Sequence, residues 1–188
     1  MRVLAFSVLA AIILTLSGPA RASEAGLWQA VRAGEAFAIM RHAYAPGFGD
    51  PDNFALGDCS TQRNLNDQGR DQARAIGERF RANGIDAAYV VSSEWCRCRE
   101  TAELLGLGDV EELPALNSFF ANRSNAEPQT ADLREWLASQ PFDRPLVLVT
   151  HQVNISALTG RGTSSGEIVV VQMDGGRVEV LGSIATGY

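Results

Sequence analysis

The sequence predicts an α/β protein in which βα units surround a largely parallel sheet. Short apolar runs alternate with stretches of helical periodicity from about residue 35 to residue 181. One run, LVLVT at residues 146–150, is almost entirely apolar, as expected for a strand that is buried on both faces. The chain contains no internal repeat, no low-complexity tract and no obvious linker. We therefore expect one folded domain over residues 23–188, and its 188 − 22 = 166 residues are enough for a sizeable core.

The first 22 residues are typical of a secretory signal peptide. Arg2 provides the positive start, residues 3–16 form an apolar run, and Ala20-Arg21-Ala22 has the small residues of a cleavage site. The apolar run is shorter than the roughly 18 to 20 residues that span a bilayer. We expect cleavage near Ala22 and a periplasmic or secreted protein, with no membrane span in the mature chain. A retained membrane anchor is the alternative.

The elements of the first half alternate strand and helix. Residues 35–40 (EAFAIM), apolar from Ala36 onward, predict a strand. Asn66 is a suitable N-cap for a helix that extends to about Ala82, with Ala73, Ile76 and Phe80 on one face. Residues 87–92 (AAYVVS) predict the next strand, and a helix follows from about Glu94 to Leu105.

The second half predicts one more helix and three strands. Pro128 introduces a short helix over residues 130–139. The buried strand at 146–150 follows. Residues 168–172 and 177–181 are β-rich runs on either side of MDGG, where a turn produces a C-terminal hairpin.

The charge of the chain limits the ligands that it can bind. The formal net charge is −6, and removing Arg2 and Arg21 with the signal segment gives 14 − 22 = −8. An acidic chain without basic runs is not suited to binding nucleic acid through its phosphate backbone. A small anionic ligand must therefore be held by a local cluster of cations.

Three cysteines, Cys59, Cys96 and Cys98, allow at most one internal disulfide. Export favours its formation, because disulfides persist in oxidising compartments. Cys96 and Cys98 are too close in sequence to bridge easily. Cys59 is therefore expected to pair with either of the other two.

Two histidines and an arginine follow three different strands. His42 follows the strand at 35–40, His151 follows the strand at 146–150, and Arg97 lies just beyond the strand at 87–92. Open α/β sheets bind ligands outside the carboxyl ends of their strands. The three side chains are therefore expected to converge there.

Three chemistries could use this cluster, and the sequence favours the third. A metal site is disfavoured, because Cys-x-Cys is not a usual zinc spacing and Arg41 and Arg97 would place positive charge beside the ion. Anion binding without chemistry is an alternative, with arginines and the glycine-containing loop at 46–49 as donors. Phosphoryl transfer needs a neutral imidazole nucleophile, as His42 could be, with guanidinium groups that stabilise the phosphoryl oxygens.

Four sequence blocks, taken in order, resemble the histidine phosphatase superfamily, the phosphoglycerate mutase-like proteins. Arg41-His42 is similar to its RHG signature, and NLNDQGRDQA (64–73) to its L-T-x-x-G-x-x-Q-A. SEWCRCRETA (93–102) resembles S-P-x-x-R-A-x-Q-T-A, and VLVTHQVNI (147–155) resembles the strand that precedes T-H-G. The blocks cover roughly residues 36–160. The resemblance implies a three-layer α/β/α sandwich with a mostly parallel sheet.

Matching positions imply roles for individual residues. His42 is the expected nucleophile, and Arg41, Arg97 and His151 complete the phosphate pocket. Arg63 resembles an arginine that small phosphohistidine phosphatases place near their pocket, and a surface arginine is the alternative. The chain departs from the family at Ser118, where many members have a glutamate that acts as the general acid.

Glu127 is a second candidate for substrate binding. It lies in NRSNAEPQT, which is expected to be a loop that could reach the site, and an ordinary exposed acid is the alternative. We list Arg63 and Glu127 as candidate substrate-binding residues.

The expected function is hydrolysis of a phosphate monoester in the periplasm through phosphohistidine at His42, without metal or cofactor. The expected partner is a small phosphorylated substrate. The CSTQRNL and WCRC stretches resemble envelope enzymes grouped with lipopolysaccharide core heptose-phosphate phosphatases, which implies a cell-envelope sugar phosphate. A catalytically silent phosphate-binding protein and a phosphohistidine phosphatase are the alternatives.

Overall fold

The computed structural model describes residues 22–187, so the predicted signal segment, except Ala22, lies outside the described residues. The helices are α1 (Glu24–Arg32), α2 (Asp67–Ala82), α3 (Cys96–Leu105), α4 (Ala126–Ala138) and α5 (Gln152–Thr159). The strands are β1 (Phe37–Arg41), β2 (Tyr89–Ser92), β3 (Val110–Glu112), β4 (Leu146–Thr150), β5 (Ile168–Asp174) and β6 (Arg177–Ile184). Short 3₁₀ turns lie at Cys59–Thr61, Pro114–Leu116 and Arg123–Asn125.

The six strands form one sheet in the order β3-β2-β4-β1-β5-β6. The pairs β2–β3, β2–β4 and β1–β4 are parallel, whereas β5 runs antiparallel to β1 and to β6. The sheet is therefore mixed, with its parallel part on the side of β1 to β4. The predicted C-terminal hairpin is confirmed as β5 and β6.

Alternate strand residues point into two separate cores, as the pleat of a strand requires. Ala38 and Met40 of β1 face α1, α2 and α3, whereas Phe37 and Ile39 face α4 and α5. The same alternation holds in β4, where all five residues are buried. Helices thus cover both faces of the sheet, and the predicted α/β/α sandwich is confirmed.

Helix α2 begins where the sequence predicts, because the side chain of Asn66 accepts a hydrogen bond from the Gly69 amide at 2.9 Å. Gly69 also allows the first turn of α2 to lie directly against the backbone of Tyr44, two residues after His42. A Cβ at position 69 would overlap the Tyr44 carbonyl group. The N-terminus of α2 therefore braces the segment that leaves β1.

Two predicted helices differ from the structure in their limits. Helix α3 starts at Cys96 instead of Glu94, because the Glu94 amide donates to the side chain of Asn117 at 2.9 Å and belongs to a turn. Helix α4 starts at Ala126 and includes Pro128 in its first turn, where a missing N–H removes no helical hydrogen bond. None of the helices in residues 22–187 has both the length and the apolar character that a membrane crossing needs.

Candidate active site

The carboxyl ends of three adjacent parallel strands bring the predicted residues together. Strand β1 ends at Arg41, which lies opposite Thr150 of β4, so the next residues, His42 and His151, are neighbours. Their ring centroids are 5.5 Å apart. Arg97 arrives from the first turn of α3, which follows β2. A cavity of about 600 Å³ opens at this edge of the sheet, and Arg41, His42, Arg63, Arg97 and His151 all line it.

The hydrogen bonds of His42 leave one ring nitrogen free to act as a nucleophile. The Nδ1 atom lies 2.7 Å from the carbonyl oxygen of Ala43. Because a carbonyl oxygen only accepts, Nδ1 carries the proton and Nε2 keeps its lone pair. Burial, followed by the charges of Arg97 and Arg41, holds the pKa of His42 well below 6.5. The imidazole is therefore neutral near pH 7, as nucleophilic attack requires.

Two buried polar side chains fix the backbone that follows His42. The Ala43 amide donates to the Thr101 hydroxyl at 3.0 Å, and this hydroxyl donates to the carbonyl oxygen of Arg97 at 2.6 Å. The Tyr44 amide donates to the Gln72 side chain at 2.8 Å. Thr101 therefore connects the backbone beside His42 with the backbone of Arg97. Thr101 and Gln72 lie within two of the blocks that resemble the family, but neither was predicted to have a role.

Arg41 and Arg97 both present buried N–H groups to the site. Arg41 Nη1 donates to the carbonyl oxygen of Thr163 at 3.3 Å. The buried Nε atoms of Arg41 and Arg97 have no hydrogen-bond partner within residues 22–187. Unpaired buried donors are costly, and an anion bound in the cavity would offer the acceptors that the protein lacks.

A carboxylate that sequence analysis did not single out binds Arg97. Asp50 accepts hydrogen bonds from Arg97 Nη1 at 2.6 Å and from Arg97 Nη2 at 3.2 Å. It also accepts from the Trp95 indole at 3.1 Å and from the Arg63 amide at 3.1 Å. Burial raises the pKa of Asp50, but the hydrogen bond and charge of Arg97 outweigh it, so the pKa lies below its usual range.

Both ring nitrogens of His151 form hydrogen bonds, one with Arg97 and one with Ser93. Its Nδ1 accepts from Arg97 Nη2 at 3.5 Å, and its Nε2 lies 3.0 Å from the Ser93 hydroxyl. Since a guanidinium only donates, Nε2 carries the proton and donates to Ser93. Burial and the charge of Arg97 also hold the pKa of His151 well below 6.5.

Arg63 lines the cavity and also holds the loop that follows β1. Its Nε donates to the carbonyl oxygen of Gly49 at 2.8 Å, and its Nη1 donates to that of Ala45. Burial and the charge of Arg97 lower the pKa of Arg63. Its guanidinium is thus part of the cluster of positive charge, and its hydrogen bonds to the loop are an additional role.

Glu127 does not join the other predicted residues. The prediction of a loop around Glu127 is wrong, because the residue lies in the first turn of α4. Its side chain is exposed and does not line the cavity. Ser118 does line the cavity, so its hydroxyl stands where the family resemblance implies an acid.

The disulfide joins Cys59 to Cys96, which decides between the two predicted pairings. Cys96 precedes Arg97, and Cys59 belongs to the 3₁₀ turn that precedes Arg63. Cys98 is the free cysteine within the described residues, and burial raises its pKa to about 12. No group of three or more His, Cys, Asp or Glu in residues 22–187 could hold a metal ion.

Two histidines and a cluster of arginines at the carboxyl ends of the strands form a cavity whose donors suit an anionic group. The family model for the histidine phosphatase superfamily (branch 1) matches residues 56–123. No curated protein matches the chain.

Several solved structures share the fold. The protein histidine phosphatase SixA, complexed with tungstate, is 20% identical over 80% of this chain and 97% of its own, with a TM-score of 0.56. A mycobacterial glucosyl-3-phosphoglycerate phosphatase in complex with VO3 is 18% identical over 78% of this chain and 96% of its own, with a TM-score of 0.56. An Escherichia coli protein assigned as an α-ribazole-5′-P phosphatase is 15% identical over 81% of this chain and 97% of its own, with a TM-score of 0.61. The family model thus matches one segment of the chain, and these solved structures share its fold.

Proposed function

We propose that the chain is a phosphatase that hydrolyses a phosphate monoester through a phosphohistidine intermediate at His42. One observation carries this proposal: Nε2 of a buried, neutral imidazole is free at a cavity whose wall contains three guanidinium groups. The guanidinium groups of Arg41, Arg63 and Arg97 attract the phosphate dianion and stabilise its oxygens in the transition state. The same charges disfavour imidazolium, so they keep His42 nucleophilic.

The reaction takes two steps. In the first, the Nε2 lone pair of His42 attacks phosphorus, the P–N bond forms, and the bond between phosphorus and the leaving-group oxygen breaks. In the second, water attacks the phosphohistidine and releases inorganic phosphate. The hydrogen bond from Nδ1 to the Ala43 carbonyl oxygen stabilises the positive charge that the ring gains during attack. We assign His151 to hydrogen bonding of the phosphoryl oxygens, for which its Nε2–H exchanges the Ser93 hydroxyl for a phosphoryl oxygen.

The rim of the cavity supports a substrate with an apolar face beside its phosphate. Four aromatic residues line the cavity: Phe48, Phe54, Trp95 and Phe120. The ring centroids of Phe48 and Phe120 are 5.0 Å apart. Phe48 is 87% exposed, so its ring is free to contact a ligand. Sugar rings and aromatic groups both offer such a face. A cell-envelope sugar phosphate is therefore our proposed substrate class, with the periplasm as the location.

The disulfide supports this location, because disulfides persist mainly in oxidising compartments. A phosphohistidine phosphatase is the second candidate. The fold likeness to the protein histidine phosphatase SixA favours it. So does Ser118, since an imidazole leaving group needs less help from an acid than an alkoxide does.

The test measures phosphate release from p-nitrophenyl phosphate, from a sugar phosphate and from a phosphohistidine peptide, each in the presence of EDTA. We expect turnover by the wild type and none by His42→Ala, together with an acid-labile phosphoenzyme that the variant does not form. The relative kcat/KM values identify the substrate class. Absence of turnover on all three substrates would favour a silent phosphate-binding protein.

Arg97→Ala and Arg99→Ala form a matched pair in the same helix. Arg97 is buried in the site, whereas Arg99 is 42% exposed and pairs with Glu112 at 2.8 Å. Loss of Arg97 should lower kcat/KM by about 10²-fold or more, since it removes a donor to the transferring group. Loss of Arg99 should change kcat/KM by about threefold at most, as for a surface substitution. The reverse order would show that the arginine has been wrongly aligned with the family.

A further inference from the structure

The carboxylate of Asp50 occupies the donors of Arg97 that an incoming phosphate needs. Both Nη atoms of Arg97 donate to Asp50, and their remaining hydrogens go to the Arg63 carbonyl oxygen and to His151. A planar carboxylate that binds a guanidinium through two oxygens takes the geometry in which phosphate binds arginine. In the free protein, Asp50 therefore stands in for the phosphate at Arg97.

The loop that carries Asp50 has the means to give up this contact. Asp50 follows Gly47 and Gly49, whose φ angles of +94° and +69° are favourable for glycine and strained for other residues. A Cβ at Gly49 would meet nothing within 4 Å, so the loop surface there is open. The side chain of Asp50 is 18% exposed, compared with 3% for Arg97. A change of partner therefore moves the more exposed Asp50 carboxylate and leaves the buried arginine in place, while Arg63 keeps its hydrogen bonds to the loop.

Among the described residues that line the cavity, Asp50 has the most suitable placement for a general acid. A departing alkoxide needs a proton, and a positioned acid supplies about 10²- to 10⁴-fold in rate. Among the described residues that line the cavity, Asp50 and Asp52 are the two carboxylic acids. Asp52 is exposed and accepts no hydrogen bond from residues 22–187, whereas Asp50 adjoins the phosphate-binding arginine.

We propose that Asp50 is the proton donor of the reaction, and that phosphate binding releases it from Arg97 to act at the leaving-group oxygen. This inference rests on the proposed phosphatase function. It assigns the acid role to a residue 47 positions before Arg97, in a different part of the chain from Ser118 and Glu127. Asp50 is catalytic in this proposal, because its carboxyl group touches the substrate.

Protons and bonds balance over the two steps. Protonated Asp50 gives its proton to the leaving oxygen as the P–O bond breaks and the His42 P–N bond forms, which leaves a carboxylate and a free alcohol. Water then attacks phosphorus, the Asp50 carboxylate takes the proton from this water, and the P–N bond breaks. Inorganic phosphate leaves, His42 is neutral again, and Asp50 releases its proton to solvent as it returns to Arg97. It takes up a proton from solvent again when the next ester binds to Arg97.

The exchange of partners also explains how a carboxyl group with a lowered pKa becomes an acid. While Arg97 donates to it, Asp50 holds its charge and the pKa stays low. A phosphate dianion on Arg97 removes these donors and places negative charge beside the carboxyl group. Both changes favour the protonated form. The substrate thus prepares its own proton donor.

The test compares phenyl phosphate, whose leaving group has a pKa of about 10 like that of tyrosine, with p-nitrophenyl phosphate, which has a better leaving group. For Asp50→Asn we expect kcat on phenyl phosphate to fall by about 10²-fold or more, and kcat on p-nitrophenyl phosphate by less than about tenfold. Asp52→Asn is the matched loss of charge at the same cavity, and it should alter both rates by the same small factor. Asp50→Glu should recover part of the rate on phenyl phosphate.

A second readout is the inhibition constant of inorganic phosphate. Asp50→Asn removes the competing carboxylate, so inhibition should become tighter by about tenfold or more. Equal losses on both esters, or weaker phosphate inhibition in the folded variant, would overturn the inference while the phosphatase function stands. A wild type that hydrolyses neither ester would overturn both. Circular dichroism and the melting temperature establish that each variant is folded. If Asp50→Asn does not fold, the rate of Asp50→Glu on phenyl phosphate, compared with its rate on p-nitrophenyl phosphate, tests the inference instead.

Discussion

The disulfide between Cys59 and Cys96 should supply a large share of the stability of this domain. The two cysteines are 37 residues apart in sequence, so the bond closes a long loop that contains α2 and β2. In the chain-entropy treatment, removing a disulfide that closes a loop of this length lowers the free energy of unfolding by about 4 kcal/mol. Domains of this size are commonly stable by about 5–15 kcal/mol, so this loss is substantial.

The bond should also matter for activity, because it anchors both sides of the cavity. Cys96 adjoins Arg97, and Cys59 lies in the segment between Asp50 and Arg63. The double variant Cys59→Ser/Cys96→Ser removes the bond without leaving a new thiol. Its KM for p-nitrophenyl phosphate should rise, because the loop that holds Asp50 and Arg63 loses its anchor to α3.

Urea unfolding at pH 7 measures the stability change, with reduced wild type as the reference. The reduced protein and the double variant should agree within about 1 kcal/mol, and both should lie about 3–4 kcal/mol below the oxidised wild type. Peptide mapping should find Cys59 linked to Cys96, with the buried Cys98 alkylated only after unfolding. A double variant as stable as the oxidised protein would refute the reasoning, and so would a bond between Cys59 and Cys98.

Three further predictions concern residues that position or tune His42. Gly69→Ala should destabilise the protein by about 1–3 kcal/mol in urea unfolding, because the new methyl group overlaps the Tyr44 carbonyl group. Gly162→Ala is the control, because a Cβ there meets nothing within 4 Å, and it should change stability by about 0.5 kcal/mol or less. Thr101→Val should lower kcat by about tenfold with little change in KM, because the Ala43 amide loses its acceptor and His42 its alignment; an unchanged kcat would contradict this role. Since the pKa of His42 is well below 6.5, the unfolded chain takes up a proton below about pH 6.5 that the folded chain does not. His42 and His151 should therefore each lower the free energy of unfolding by up to about 1.4 kcal/mol per pH unit below pH 6.5, and His42→Asn should reduce this slope.

The elements that the sequence predicted well carry strong local signals. Strand β4 has the predicted limits because its five residues are all buried between two helical layers. Helix α2 starts as predicted because Asn66 caps it with its own side chain. The sequence did not predict α1, α5 or the edge strand β3, which has three residues. Helix α5 has eight residues and is stabilised by the packing of Val153, Ile155 and Leu158, which is a tertiary effect.

The cations of the site were predictable because strand ends determine their positions. Arg41, His42 and His151 follow buried apolar runs, so the sheet alone brings them together. Glu127 was misplaced because a polar segment with a proline was interpreted as a loop, whereas Pro128 is compatible with the first turn of α4.

Which carboxylate faces Arg97 depends instead on the path of the loop between β1 and α2. That path is fixed by contacts distant in sequence: Arg63 donates to the carbonyl oxygens of Ala45 and Gly49, and the disulfide anchors Cys59 to α3. No local pattern in GFGDPD encodes these contacts, so the sequence shows an acid in a loop and nothing about its partner. The family resemblance implies an acid at position 118, which is Ser118, and the next acidic residue along the chain is Glu127. The three-dimensional contacts lead instead to Asp50, because two glycines and a disulfide bring this loop to the buried guanidinium of Arg97.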